Sequence, residues 1–173
     1  MTTPIIETER LILRPHRADD YDALVALWTD PATFRFIGGR AQNPQEIWFR
    51  LMRYAGMWAL LGYGFWAFEE KASGAYVGEG GLMDARRGIA GLDGVPEIGW
   101  ALTPQAGGKG YASEAVAAIT RWADEALGAQ RTACIIEPAN GASIRVAEKN
   151  GYRPVGQARM GEAELILMER RRP

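Results

Sequence analysis

The stretch that most restricts what this chain can become runs from Pro96 to Ala112, PEIGWALTPQAGGKGYA. An apolar run from Glu97 to Leu102 reads as a buried strand, Thr103-Pro104 stops it, and the glycines Gly107, Gly108 and Gly110 open directly into a helical pattern. A strand, a glycine turn and a helix start, in that order, build an anion site. The first amides of a helix have no acceptor within the helix and stand at the positive end of its dipole. Glycines let the backbone reach positive φ and approach a ligand with no Cβ in the way. The same residues also fit a glycine-rich turn that binds nothing.

Spacing narrows the choice of phosphate ligand. Lys109 lies between two glycines and Tyr111 follows Gly110, so the nucleotide-triphosphate loop G-x-x-x-x-G-K-[ST] is absent, and Ser113 stands where a dinucleotide fingerprint requires glycine. A length of 173 residues suits a single domain, residues 1–173, with one core. A net charge of −1 argues against nucleic acid as the main partner. Cys134 is the only cysteine, so no internal disulfide forms, and Met1 to Pro4 lacks the basic and apolar regions of a leader peptide. One histidine and one cysteine make no metal cluster, and no apolar run is long enough to span a bilayer. A cytoplasmic protein with no metal and no membrane contact is the expectation.

Along the chain, Arg10 to Arg14 alternates as a first strand that Pro15 ends. Asp19 and Asp20 precede Tyr21, Leu24, Leu27 and Trp28 at helical spacing, and that helix stops before Pro31. Asn43-Pro44-Gln45-Glu46 starts a second helix, with Ile47, Leu51, Tyr54 and Trp58 on its buried face. Strands follow at Phe65 to Glu69 and Tyr76 to Met83, with Asp84 to Val95 a connection to the central strand. After the glycine loop come a helix ended by Gly128, a strand from Thr132 to Glu137, a helix from Ala142 to Lys149, and a hairpin of Tyr152 to Ala158 and Glu164 to Met168. This order predicts an α/β protein with a mixed sheet and helices on both faces.

Two motifs carry a family resemblance. Gln105, Gly108 and Gly110 form [QR]-x-x-G-x-[GA], which resembles the acyl-CoA pyrophosphate loop of the GNAT N-acetyltransferase superfamily. Farther on, Asn140-Gly-Ala-Ser143-Ile-Arg-Val146-Ala-Glu148-Lys149-Asn-Gly151-Tyr152 resembles the family's N-x-x-[AS]-x-x-[LV]-x-[EK]-K-x-G-[FY] segment. Thr8 to Pro15 is similar to the first strand of the RimJ/RimL branch, the ribosomal-protein N-terminal acetyltransferases, and Glu97 to Trp100 to that branch's central strand. The resemblance implies the GNAT fold: a mostly antiparallel sheet of about seven strands, splayed at its central parallel pair. It also implies acetyl-CoA as cosubstrate. Backbone groups of Trp100, Ala101 and Leu102 would hold the pantetheine arm and polarise the thioester, and Gln105, Gly107, Gly108, Lys109, Gly110, Tyr111 and Ala112 would form the pyrophosphate loop. Asn140 would bond the arm, and an amine would attack acetyl-CoA directly.

Proton transfer is less defined. By the resemblance Glu97 is the base, although a structural ion pair fits it equally, and Glu79 and Asp84 stand behind it. Many members place a tyrosine as general acid just before the E-K pair, where this chain has Ala147; Ser143 is the substitute, or simply a helix-start residue. Tyr152 reads as core, Cys134 as a buried inert thiol, His16 as a turn residue and Arg170 to Arg172 as a solvated end. The turn from Phe34 to Arg40 lies where the family builds its acceptor site. The missing tyrosine keeps a second reading open, a catalytically weak CoA-binding sensor. The amine acceptor is a peptide N-terminus or a small molecule, and strand edges with surplus tryptophan suggest a homodimer.

Overall fold

The computed structural model describes residues 3–173; Met1 and Thr2, part of the stretch read for a leader, lie outside the described residues. Among the described residues, eight strands order as β1-β2-β3-β4-β5-β6-β8-β7. They are β1 (Ile6–Glu7), β2 (Leu11–Arg14), β3 (Phe65–Glu70), β4 (Tyr76–Met83), β5 (Glu97–Leu102), β6 (Arg131–Ile136), β7 (Arg153–Met160) and β8 (Ala163–Arg171). The helices are α1 (Tyr21–Thr29), α2 (Pro31–Phe34), α3 (Pro44–Leu61), α4 (Tyr111–Glu125) and α5 (Gly141–Lys149).

Local chemistry sets the helix ends. The Asn43 side chain accepts from the Glu46 amide at 2.9 Å while the Glu46 carboxylate accepts from the Asn43 amide at 2.8 Å, and Pro44 opens α3. Gly62, at φ +74°, ends it. The short α2 is absent from the sequence reading, which treats Pro31 only as a stop. Here Pro31 is a first helical residue, and the Asp30 side chain accepts from the Ala32 amide at 2.8 Å. The two-residue β1 makes the sheet eight-stranded instead of about seven. The last hairpin is longer than expected, and Arg170 is no solvated end. It sits in β8 and grips Asp124 of α4 with two hydrogen bonds, 2.8 and 2.6 Å.

Helices cover both faces of the sheet. In β5, Ile98 joins a core with Val116, Ile119 and Ala123 of α4, whereas Ala101 joins Leu24, Leu27, Ile47 and Leu51 of α1 and α3. Residues three apart on a strand point to opposite sides, so the two cores lie on opposite faces.

All neighbouring strands run antiparallel except β5 and β6. That parallel pair has one rung, Glu97 opposite Ala133, closed by the Ala133 amide donating to the Pro96 carbonyl at 3.2 Å. Past it the strands separate, as expected. β5 keeps its ladder with β4 throughout, and the Thr103 amide donates to Val77 at 3.0 Å. Antiparallel pairs alternate, so Ala101 and Gly99 turn their amides toward β4, and Trp100 and Leu102 turn theirs into the gap.

Candidate functional site

The gap between β5 and β6 opens into a cavity of about 610 Å³. Trp100, Ala101 and Leu102 form one wall, Gly107, Gly108, Gly110, Tyr111, Ala112 and Ser113 the glycine-loop end, and Asn140, Ser143 and Val146 the opposite wall. Ala32, Thr33, Phe36 and Ile37, in and after α2, close the remaining side.

At the glycine-loop end, Gly108 and Gly110 take φ +75° and +84°, which residues with a Cβ rarely adopt. Gly110 caps α4 with no side chain to offer it. Among the described residues, no protein acceptor meets the amides of Gly108 through Ser113. These six unshared amides stand at the positive end of a 15-residue helix, and Gly108, Gly110, Tyr111, Ala112 and Ser113 among their residues line the cavity. Arg10 holds this loop in place: its guanidinium donates to the Lys109 carbonyl at 2.8 Å and to Glu114 at 2.7 Å. Burial pushes the Glu114 carboxyl up, but hydrogen bonds from Thr8, the Arg10 amide and the Arg10 guanidinium outweigh it and hold the group below its ordinary value. Sequence reasoning saw Arg10 only as a strand residue. An acid in the first turn of α4, facing a basic first strand, was the available signal.

Not all of the expected residues meet here. Gln105, in an exposed turn, and Lys109 both lie outside the cavity lining. Tyr111 is buried beneath the loop, with its hydroxyl on Glu70 and its ring 4.7 Å from the Arg10 guanidinium. Ala101 lines the cavity, but its amide belongs to the β4 ladder and its side chain joins the α1 and α3 core. Asn140 caps α5, its carbonyl accepting from the Ser143 amide at 3.1 Å. The helix-start role is therefore taken by Asn140, and the Ser143 hydroxyl, with no protein partner among the described residues, stands at the cavity.

Glu97 is placed elsewhere. It is 4% exposed at the closed end of the splay, and both its oxygens are held by Arg87 at 3.0 and 3.1 Å. Asp84 pairs with Arg86 at 2.9 Å. Glu79, in register with Ala101, is fully buried and accepts from Trp28 at 3.0 Å, Tyr76 at 2.9 Å and the Tyr54 hydroxyl, with the His16 ring at 3.3 Å. Burial raises the Glu79 carboxyl, yet its hydrogen bond to His16 and the neighbouring cations and hydroxyl prevail, leaving it below the ordinary carboxylate value. Ala147 and Tyr152 are core, and the Tyr152 hydroxyl meets Thr132 at 2.6 Å. Burial, with the Glu97 charge behind it, pushes the Cys134 thiol up to about 12, so it is not a nucleophile near neutral pH.

A second cavity, about 400 Å³, opens on the α3 side. It shares Ile37 with the first, and Arg40, Glu46, Phe49, Arg50 and Arg53 line it. The turn expected to build an acceptor site thus separates the two spaces.

A model of the acetyltransferase (GNAT) domain matches residues 10–153. YoaA of Bacillus subtilis (strain 168), described as an uncharacterized N-acetyltransferase, is 26% identical over 157 residues, covering 90% of this chain and 86% of that protein. A solved chain from Bordetella pertussis, assigned to the GnaT family of acetyltransferases, is 31% identical with a TM-score of 0.85, over 97% of this chain and 99% of that one. RimL, described as a ribosomal L7/L12 alpha-N-protein acetyltransferase and solved with coenzyme A, is 15% identical with a TM-score of 0.78, over 97% and 98%; at that identity the likeness is one of fold. With the family model spanning most of its length, this chain belongs to the GNAT acetyltransferase family.

Proposed function

We propose that this acetyltransferase moves an acetyl group from acetyl-CoA directly to a primary amine inside one ternary complex. The observation that carries the reading is the parted pair of strands ending at six unshared amides. That arrangement suits a pantetheine arm lying against Trp100 and Leu102 and a diphosphate at Gly108 to Ser113. Coenzyme A in the RimL structure supports the same cosubstrate. The buried, raised Cys134 thiol favours direct transfer over an acyl-enzyme.

In the reaction the amine nitrogen attacks the thioester carbonyl, and the tetrahedral oxyanion forms beside the unshared amides of Trp100 and Leu102. The C–S bond then breaks and the sulfur leaves as thiolate, stabilised by a hydrogen bond donated from the Ser143 hydroxyl and protonated from water, to which the amine proton passes. At a pKa of about 7.8, roughly one α-amine in seven is already neutral at pH 7, against about one lysine amine in 2,500 at 10.4. The geometry around Glu97, both oxygens on Arg87, supports a structural ion pair over the base role that the resemblance implies.

A second reading, a CoA-binding sensor, draws on the buried Ala147 at the position of the family's usual tyrosine. Release of free thiol from acetyl-CoA with a panel of amines separates the two. Amine-dependent release well above background supports the enzyme. Tight CoA binding with release at background supports the sensor and overturns direct transfer.

A further inference from the structure

The cavity on the α3 side has an unusual charge balance. Of its three arginines, Arg40 is neutralised by Glu46, with contacts of 2.9 and 2.5 Å. Arg50 and Arg53 lie one turn apart on the same helix, a spacing at which like charges repel, and among the described residues neither forms an ion pair with a carboxylate. Glu79 reaches Arg50 only through the Tyr54 hydroxyl, and its oxygens are already claimed by Trp28, Tyr54, Tyr76 and His16.

Arg50 is held in position before any ligand arrives. Its Nε donates to Gln42 at 3.1 Å, its Nη1 to the Tyr54 hydroxyl at 3.2 Å, and its guanidinium lies 3.6 Å from the centre of the Trp28 ring. Nη2 has no protein acceptor among the described residues. A fixed planar guanidinium with a free arm, beside a second unpaired guanidinium on a cavity wall, matches a carboxylate or phosphate oxyanion. Ile37 lines both this cavity and the cleft, and the chain Arg50–Tyr54–Glu79 ends in register with Ala101 on the cleft wall.

We propose that this cavity seats an oxyanion of the acceptor, a carboxylate or phosphate a few bonds from the amine that is acetylated. The inference rests on direct transfer to amines and adds the acceptor's charge. Polyamines and other polycations have the wrong sign for it.

The test measures thiol release by the full chain with matched acceptors: a peptide beginning with an acidic residue and the same peptide with that side chain amidated, a small amino acid and its carboxamide, and a diamine. The acid member of at least one pair is expected to exceed its amide by about tenfold in kcat/KM, the worth of one charge-assisted contact. The pair showing the preference identifies a peptide or a small molecule as the source. Arg53→Gln brings that ratio close to one, and Arg50→Lys lowers it. Inorganic phosphate should compete with the acceptor in the unaltered protein and about tenfold less in Arg53→Gln. Active turnover with acid and amide used equally, or with the diamine preferred, overturns the inference and leaves acetyl transfer standing. Thiol release with none of these amines overturns both.

Discussion

At the scale of single residues, position in the ladder and in the charge network decides what each group does. Gly108 lies at φ +75° beside the unshared amides, so a glutamate there adds backbone strain of about 1–2 kcal/mol and a negative charge facing a diphosphate. Gly108→Glu should weaken CoA binding by at least about a hundredfold in a calorimetric titration. Glu97→Gln removes the ion-pair partner of a partly exposed Arg87 and weakens two hydrogen bonds at the buried Glu97 position. It should cost about 1–3 kcal/mol in urea unfolding and leave the pH profile of turnover unchanged. A lost acidic limb in that profile would restore Glu97 as the base.

Glu79 supplies a pH dependence. Its carboxyl is lowered on folding, so the stability it contributes is complete above the unfolded value of about 4.3 and is lost as pH falls through the lower folded value. Glu79→Gln should therefore destabilise the protein by about 3–5 kcal/mol near pH 7 and flatten the acid limb of Tm against pH. An unchanged acid limb would contradict this account.

At the scale of elements, the sequence announced those whose chemistry is local. The Asn43 to Glu46 capping box, the glycines before α4 and the alternation of β2 all appear where their residues predict. The elements it concealed depend on partners distant in the chain. β8 extends to Arg171 because Arg170 finds Asp124, and β1 exists because Ile6 and Glu7 pair with β2. In the site the same division holds. Gly108, Gly110 and Asn140 were legible from motifs, whereas the Arg10 clasp on Lys109 and Glu114 and the arginine-lined cavity exist only once the sheet brings them together. α5 contributes Ser143, freed from capping by Asn140. Ser143→Ala should lower kcat about tenfold, less than a dedicated acid would, because a thiol near 8.5 leaves readily unaided. A rise in the KM for acetyl-CoA larger than the fall in kcat would instead mark it as a binding group.

At the scale of the whole molecule, two helical layers and a sheet that parts between β5 and β6 set the proposed cosubstrate cleft against the proposed acceptor cavity, with the α2 turn between them. Trp48, Phe49, Met52 and Leu60 of α3 are exposed, and the homodimer expected from the sequence would draw on such surface. Sedimentation equilibrium should then return twice the 19.0 kDa chain mass, and a single chain mass at micromolar concentration would refute it. The central claim concerns the unshared amides. An amide-resolved NMR titration with coenzyme A tests it most directly. The account predicts that the largest shifts fall on Gly108 to Ser113, followed by Trp100 and Leu102; binding that leaves those amides unmoved, or no binding at all, would contradict it.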